Sequence, residues 1–306
     1  MTPVIRTVTG DLPPDQLGPT DYHEHLFQVS PLLPGDELDD ERASGAEAAA
    51  LKRSGAAAMV EATPIGLGRD PAACARISRA TGLHVVHTTG AHRHEHYAAD
   101  DPLLGRSTDE LRTLFRTDLL EGMDGTGVRA GLVKAGVGLW SIDPFERRAL
   151  EAAGGLAAEL GVPVMVHLEH GSAAHEVLDL LASAGCSADR VALAHVDRNP
   201  DPVLHAELAD RGAYLGYDGA ARRQRWPDSV LVDCLAATVA AGAGERVLLG
   251  GDVARRSRYT AYGGMPGLGY LFDRFLPRVR AVIGPDATDT VLRANPARWL
   301  AWEPAP

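Results

Sequence analysis

Lys134 closes the apolar run Gly131-Leu132-Val133-Lys134 and is one of two lysines in a chain that otherwise draws its positive charge from arginine. Burying an ammonium is costly, and desolvation can lower its pKa by roughly 3–5 units. The neutral amine is then a nucleophile, which a guanidinium never becomes. Addition to carbon dioxide would turn it into a carbamate, an anionic oxygen ligand able to bridge two metal ions. Other metal donors recur at the ends of apolar runs. His23 and His25 flank Glu24 after Gly18-Pro19-Thr20-Asp21-Tyr22, and residues two apart on a strand share a face. His167 ends Val164-Met165-Val166, His195 ends Val191-Ala192-Leu193-Ala194, and Asp252 ends Leu248-Leu249-Gly250-Gly251. Neutral imidazole suits zinc above all, and also manganese, cobalt or nickel. A single strand-end histidine is more often a hydrogen-bonded core residue. Four histidines, one lysine and one aspartate at five separate strand ends point to a metal site instead.

The elements that must carry these groups are eight short apolar runs, at 18–22, 57–62, 83–88, 131–134, 163–167, 191–195, 213–217 and 247–251. Between them lie alanine- and leucine-rich stretches that predict helices, among them 70–81, 108–121, 143–160, 173–184 and 228–241. Alternating strand and helix implies a parallel sheet, and eight such units suit an α/β fold of the closed (β/α)8 TIM barrel type. An open doubly wound sheet is the rival. No Gly-x-Gly-x-x-Gly follows the first run, and the polar termini fall on many different strands, as at a barrel mouth. The absence of a long linker predicts a single domain over 1–306. The polar segment 32–44 reads as a loop or short excursion.

Composition narrows the function. Thirty Lys+Arg against 41 Asp+Glu give a net charge of −11, which argues against nucleic acid or an anionic membrane and for a small-molecule partner. Cys74, Cys186 and Cys234 are widely spaced and form no CxxC pair, so neither a disulfide framework nor a thiolate metal site is expected. With no apolar leader or spanning run, the expected location is the cytoplasm. A homo-oligomer is left open. A second His-Glu-His, at His94-Glu95-His96, follows Thr88-Thr89-Gly90 and so belongs to a loop; there His92 is a candidate for lining the substrate pocket.

Taken together, Gly-Pro-Thr-Asp-Tyr-His-Glu-His at 18–25, Val133-Lys134-Ala135-Gly136, Val166-His167, Ala194-His195-Val196-Asp197-Arg198, Gly250-Gly251-Asp252 and Asn295-Pro296-Ala297-Arg298 resemble the phosphotriesterase family of the amidohydrolase superfamily. The resemblance covers nearly the whole chain. It implies that His23, His25 and Asp252 hold a more buried divalent ion and His167 and His195 a more exposed one. Carbamylated Lys134 and a hydroxide would bridge the two. Such a pair would bring the pKa of a shared water toward about 7, with Asp252 accepting its proton and passing it to the leaving group.

Arginines bear on the substrate. Arg222, Arg223 and Arg225 follow the seventh run and Arg255, Arg256 and Arg258 the eighth, where barrels commonly bind phosphate and where guanidinium would pair with it bidentately. The plain alternative is that an arginine-rich chain places arginines on exposed loops. The stretch Asp252-Val253-Ala254-Arg255-Arg256-Ser257-Arg258-Tyr259 is similar to the branch that opens phosphorylated sugar lactones, which implies a phosphate held by Arg256, Tyr259 and Arg225. The triesterase branch carries a relay histidine after the aspartate of strand seven, whereas here Gly219 follows Asp218. The expectation is a two-metal lactonase acting on an anionic lactone. An amide hydrolase or phosphoesterase on the same metals is the alternative, and a binding protein that kept the barrel is a third reading.

Overall fold

The computed structural model describes residues 2–221 and 226–303. An antiparallel hairpin of β1 (Ile5–Thr7) and β2 (Gly10–Leu12) precedes eight parallel strands. These are β3 (Thr20–Glu24), β4 (Ala58–Glu61), β5 (His84–Gly90), β6 (Leu132–Val137), β7 (Val164–Leu168), β8 (Val191–Ala194), β9 (Tyr214–Tyr217) and β10 (Val247–Leu249). They pair in sequence order. Past the end of β10 the chain returns to β3, where Asp252 N donates to His23 O at 2.8 Å. The result is a nearly closed (β/α)8 barrel.

Local chemistry sets the helix limits. Asp70 accepts from Ala73 N to open α2 (Pro71–Thr81), which stops at Gly82. Capping boxes built on Ser107 with Glu110 and on Asp143 with Glu146 start α3 (Thr108–Leu120) and α4 (Pro144–Leu160); such caps contribute about 0.5–2 kcal/mol each. Then come α5 (Ala174–Ser183), α6 (Pro202–Asp210) and α7 (Asp228–Ala240). Beyond β10 a π-helical turn at Leu271–Phe275 runs into α8 (Leu276–Ile283), followed by α9 (Pro285–Asp289) and α10 (Asn295–Leu300). The polar segment 32–44 divides, because Asp40 caps a helix, α1 (Glu41–Ser54), that starts inside it.

Strand alternation separates two apolar cores. Tyr22, Val60, Val86, Leu132, Met165, Ala192 and Leu248 point into the barrel and pack above Trp299 and Ile5. Val85, Val133, Ala135, Val164, Val166, Leu193 and Leu249 point outward to the helices. The period of two places Lys134 above Leu132 and His167 above Met165, both facing the barrel axis. Buried chemistry at the strand ends is therefore a product of register. No helix among the described residues is long and apolar enough to cross a membrane.

Candidate metal centre

His23 and His25 leave β3 with their rings 5.5 Å apart. Thr63 Oγ1 lies 2.7 Å from His25 Nδ1, and its hydroxyl donates to Phe27 O at 2.6 Å, so His25 Nδ1–H is the donor and Nε2 keeps its lone pair. Asp218, just past β9, takes His23 Nδ1–H on Oδ2 at 3.0 Å and His195 Nδ1–H on Oδ1 at 2.6 Å. One buried carboxylate thus fixes two imidazoles with Nε2 toward the barrel axis. Burial favours a raised carboxyl at Asp218, but His195 and His23 hold it well below the usual range.

Two of the donor residues reach the centre through strained backbone. His195 (φ 69°) and Asp252 (φ 39°) both adopt the left-handed region, which costs of order 1–3 kcal/mol for a non-glycine residue. His195 directly follows inward-facing Ala194, so alternation would turn its side chain outward; the left-handed residue brings it inward. Lys134 is 1% exposed. Its Nζ donates to Ala62 O at 2.9 Å and lies 3.5 Å from His23 Nε2. Gly90 makes room beside it, since a Cβ there would overlap Lys134 O.

The donor set fits divalent cations. Asp252 Oδ1 lies 3.5 Å from His25 Nε2 and 3.8 Å from His23 Nε2, near the roughly 3.4 Å that separates two ligands of one tetrahedral ion. Burial, with Lys134 adding, lowers His23 to about 3, and burial also takes His167 and His195 well below the ordinary histidine value. All three are neutral. A tautomer conflict follows. His167 Nε2 faces Glu169 Oε2 at 3.0 Å while its Nδ1 faces His195 Nε2 at 2.8 Å, and a neutral ring has only one N–H for two acceptors. A cation between His167 Nδ1 and His195 Nε2 removes the conflict and leaves Nε2–H for Glu169, an arrangement common around bound metals. Potential ligand atoms of His23, His195, Asp218 and Asp252 lie within 4.8 Å of one another.

This centre, at the C-terminal mouth of a (β/α)8 barrel, accompanies a match to one family over residues 3–300. The chain belongs to the phosphotriesterase family. It is 31% identical over 323 residues to a phospho-furanose lactonase of Mycoplasmopsis synoviae, covering 97% of this chain and 92% of that protein. It is 28% identical to an N-acetyltaurine hydrolase of Danio rerio, covering 98% of each. Among solved structures, a lactonase from Listeria monocytogenes superposes with a TM-score of 0.92 at 29% identity, over 98% of this chain and 99% of that one. Phosphotriesterase-family membership makes the chain a metal-dependent hydrolase.

The substrate contacts expected from sequence are placed less uniformly. His92 stacks on His96 with ring centroids 3.9 Å apart and lies 4.6 Å from His167, so it lines a cavity of about 130 Å³ over the centre. The Tyr259 ring is fully buried and its hydroxyl donates to His25 O, so it supports one of the candidate donor residues. The Arg256 side chain is 47% exposed, near Asp39 and over the Tyr262 ring, and is not among the residues that line the cavity. Arg225 lies outside the described residues. Arg93, Arg198 and Arg255 line the cavity instead. Sequence reasoning also missed Glu169 and the anchoring role of Asp218, although Asp218 is a polar terminus on an apolar strand, the same signal that singled out Asp252. The missing relay histidine has a steric counterpart, because a Cβ on Gly219 would lie 2.9 Å from Asp197 Oδ2.

Proposed function

We propose that this chain is a two-metal lactonase that opens a small lactone bearing an anionic group. In this reading His23, His25 and Asp252 hold one ion and His167 and His195 the other, with carbamylated Lys134 shared between them. Zinc suits the donors best. When bound, the pair polarises a carbonyl and makes a shared water acidic enough to attack at neutral pH. Asp252 Oδ2 is the group placed to take the proton and deliver it to the ring oxygen as that bond breaks. Asp218 and Glu169 keep three imidazoles oriented, and His92 with His96 covers the centre on the β5 side. Arg255 supplies positive charge at the rim, which suits a substituent such as phosphate, while Arg93 beside it is paired with Glu95 and Glu169.

The observation that carries this reading is the convergence of six donor side chains, under a basic rim, in a chain similar along its length to a phospho-furanose lactonase. An amide hydrolase is the second reading, favoured by the likeness to an N-acetyltaurine hydrolase, since an anionic amide would meet the same rim. Metal-loaded protein assayed against phosphorylated aldonolactones, uncharged lactones, anionic acyl amides and phosphotriesters separates them. Opening of phosphorylated lactones with the highest kcat/KM is expected. Amide cleavage without lactone opening would overturn the proposal.

A further inference from the structure

Arg198 stands in the wall between the cavity over the metal centre and a second cavity of about 550 Å³, lined by Leu139, Trp140, Ser172 and Trp226 among others. The turn that carries it is tightly held. Arg198 N donates to His195 O at 3.0 Å, and the buried Asp197 beside it accepts Gly219 N at 2.7 Å. The guanidinium is only 7% exposed. Its Nη2 donates to Asp252 Oδ2 at 3.1 Å and lies 3.3 Å from His195 Nε2, while its Nε is buried without a hydrogen-bond partner among the described residues. A guanidinium gives charge-assisted hydrogen bonds to carboxylate oxygens, and Asp252 engages Nη2 alone.

Lactone opening creates such a carboxylate at the centre. The oxygen of water joins the acyl carbon, the bond from that carbon to the ring oxygen breaks, and the ring oxygen leaves as a hydroxyl carrying one of water's protons. The other proton is released as the acid ionises. We propose that Arg198, which lines the cavity over the centre, is a catalytic residue whose guanidinium donates to an acyl oxygen as this carboxylate forms, an inference that rests on the lactonase reading. The second cavity then lies on the far side of the bond being cut, open to the remainder of the substrate.

The test uses metal-loaded wild type, Arg198→Met and Arg198→Lys. Each is titrated calorimetrically with 4-hydroxybutyrate, an uncharged lactone's ring-opened acid, and assayed for opening of γ-butyrolactone, with metal content and Tm recorded. Arg198→Met is expected to weaken binding of the acid at least tenfold and to lower kcat, with KM for the lactone changed less than threefold and metal content unchanged. Arg198→Lys should recover part of both losses. Equal affinity of wild type and Arg198→Met for the acid, no binding to wild type, or loss of metal from Arg198→Met would each overturn the proposal. A wild type that binds the acid through Arg198 yet opens no lactone would refute the lactonase reading separately.

Discussion

His195 Nδ1 and Asp218 Oδ1 lie 2.6 Å apart, both fully out of water. The same carboxylate also receives the Tyr22 hydroxyl and His23 Nδ1, so one residue of β9's end sets the orientation of groups from β3 and β8. Asp218→Asn keeps the shape but loses the charge and offers an N–H where the imidazoles need an acceptor. Metal affinity should fall roughly 10–100-fold, read by chelator competition. Wild-type affinity in the variant would show that Asp218 is merely structural.

Gly219 stands where a relay histidine would have to fit. Its N–H is bound by Asp197, and a side chain would press on that carboxylate. Gly219→Ala should cost about 1–3 kcal/mol by overpacking, measured by urea unfolding. Gly219→His should be destabilised too and gain no phosphotriester hydrolysis. A stable histidine variant with raised triesterase activity would show that the loop repacks.

The rim arginines divide by position. Arg255 lines the cavity and is tied to Asp36 at 3.3 Å, whereas Arg256 points to Asp39 and Tyr262. Arg255→Ala should raise KM for a phosphorylated lactone about tenfold and leave an uncharged one little changed, as loss of a remote binding contact does. Arg256→Ala should alter neither. The reverse pattern would restore Arg256 to the site.

Much of this arrangement was legible in the chain, and the exceptions share a cause. The barrel strands declare themselves by apolar runs, and α2, α3 and α4 by caps at Asp70, Ser107 and Asp143. The six side chains proposed as metal ligands stood out as polar ends on those runs. What stayed hidden depends on contacts far apart in sequence. Tyr259 and Arg256 sit three residues apart on one loop, yet His25 O draws the tyrosine inside while the arginine turns to solvent. The start of α1 was masked because Asp40 and Glu41 look like loop residues until the cap to Ala43 N is seen.

Acid sensitivity should come in part from outside the centre. Burial, with Arg69 adding, lowers His87 to about 3, and its Nε2 has no hydrogen-bond partner among the described residues. Between the ordinary value of 6.5 and about 3 the unfolded chain binds a proton that the folded chain refuses. Stability therefore falls as pH drops through that window, by about 1.4 kcal/mol per unit for one proton. His87→Leu should flatten this dependence in urea unfolding between pH 4.5 and 7.5. An unchanged slope would mean that His87 is protonated on folding at no cost.

Six side chains are proposed to make one two-ion site joined through a modified lysine. The most direct measurement is metal content per chain after reconstitution with zinc and bicarbonate, for wild type and Lys134→Ala. Two ions per chain are expected in wild type. Fewer are expected in Lys134→Ala, with both metal and activity partly restored by a short carboxylic acid that can take the carbamate's place. A wild type holding less than one ion, or a Lys134→Ala variant that keeps two ions and full activity, would contradict the account.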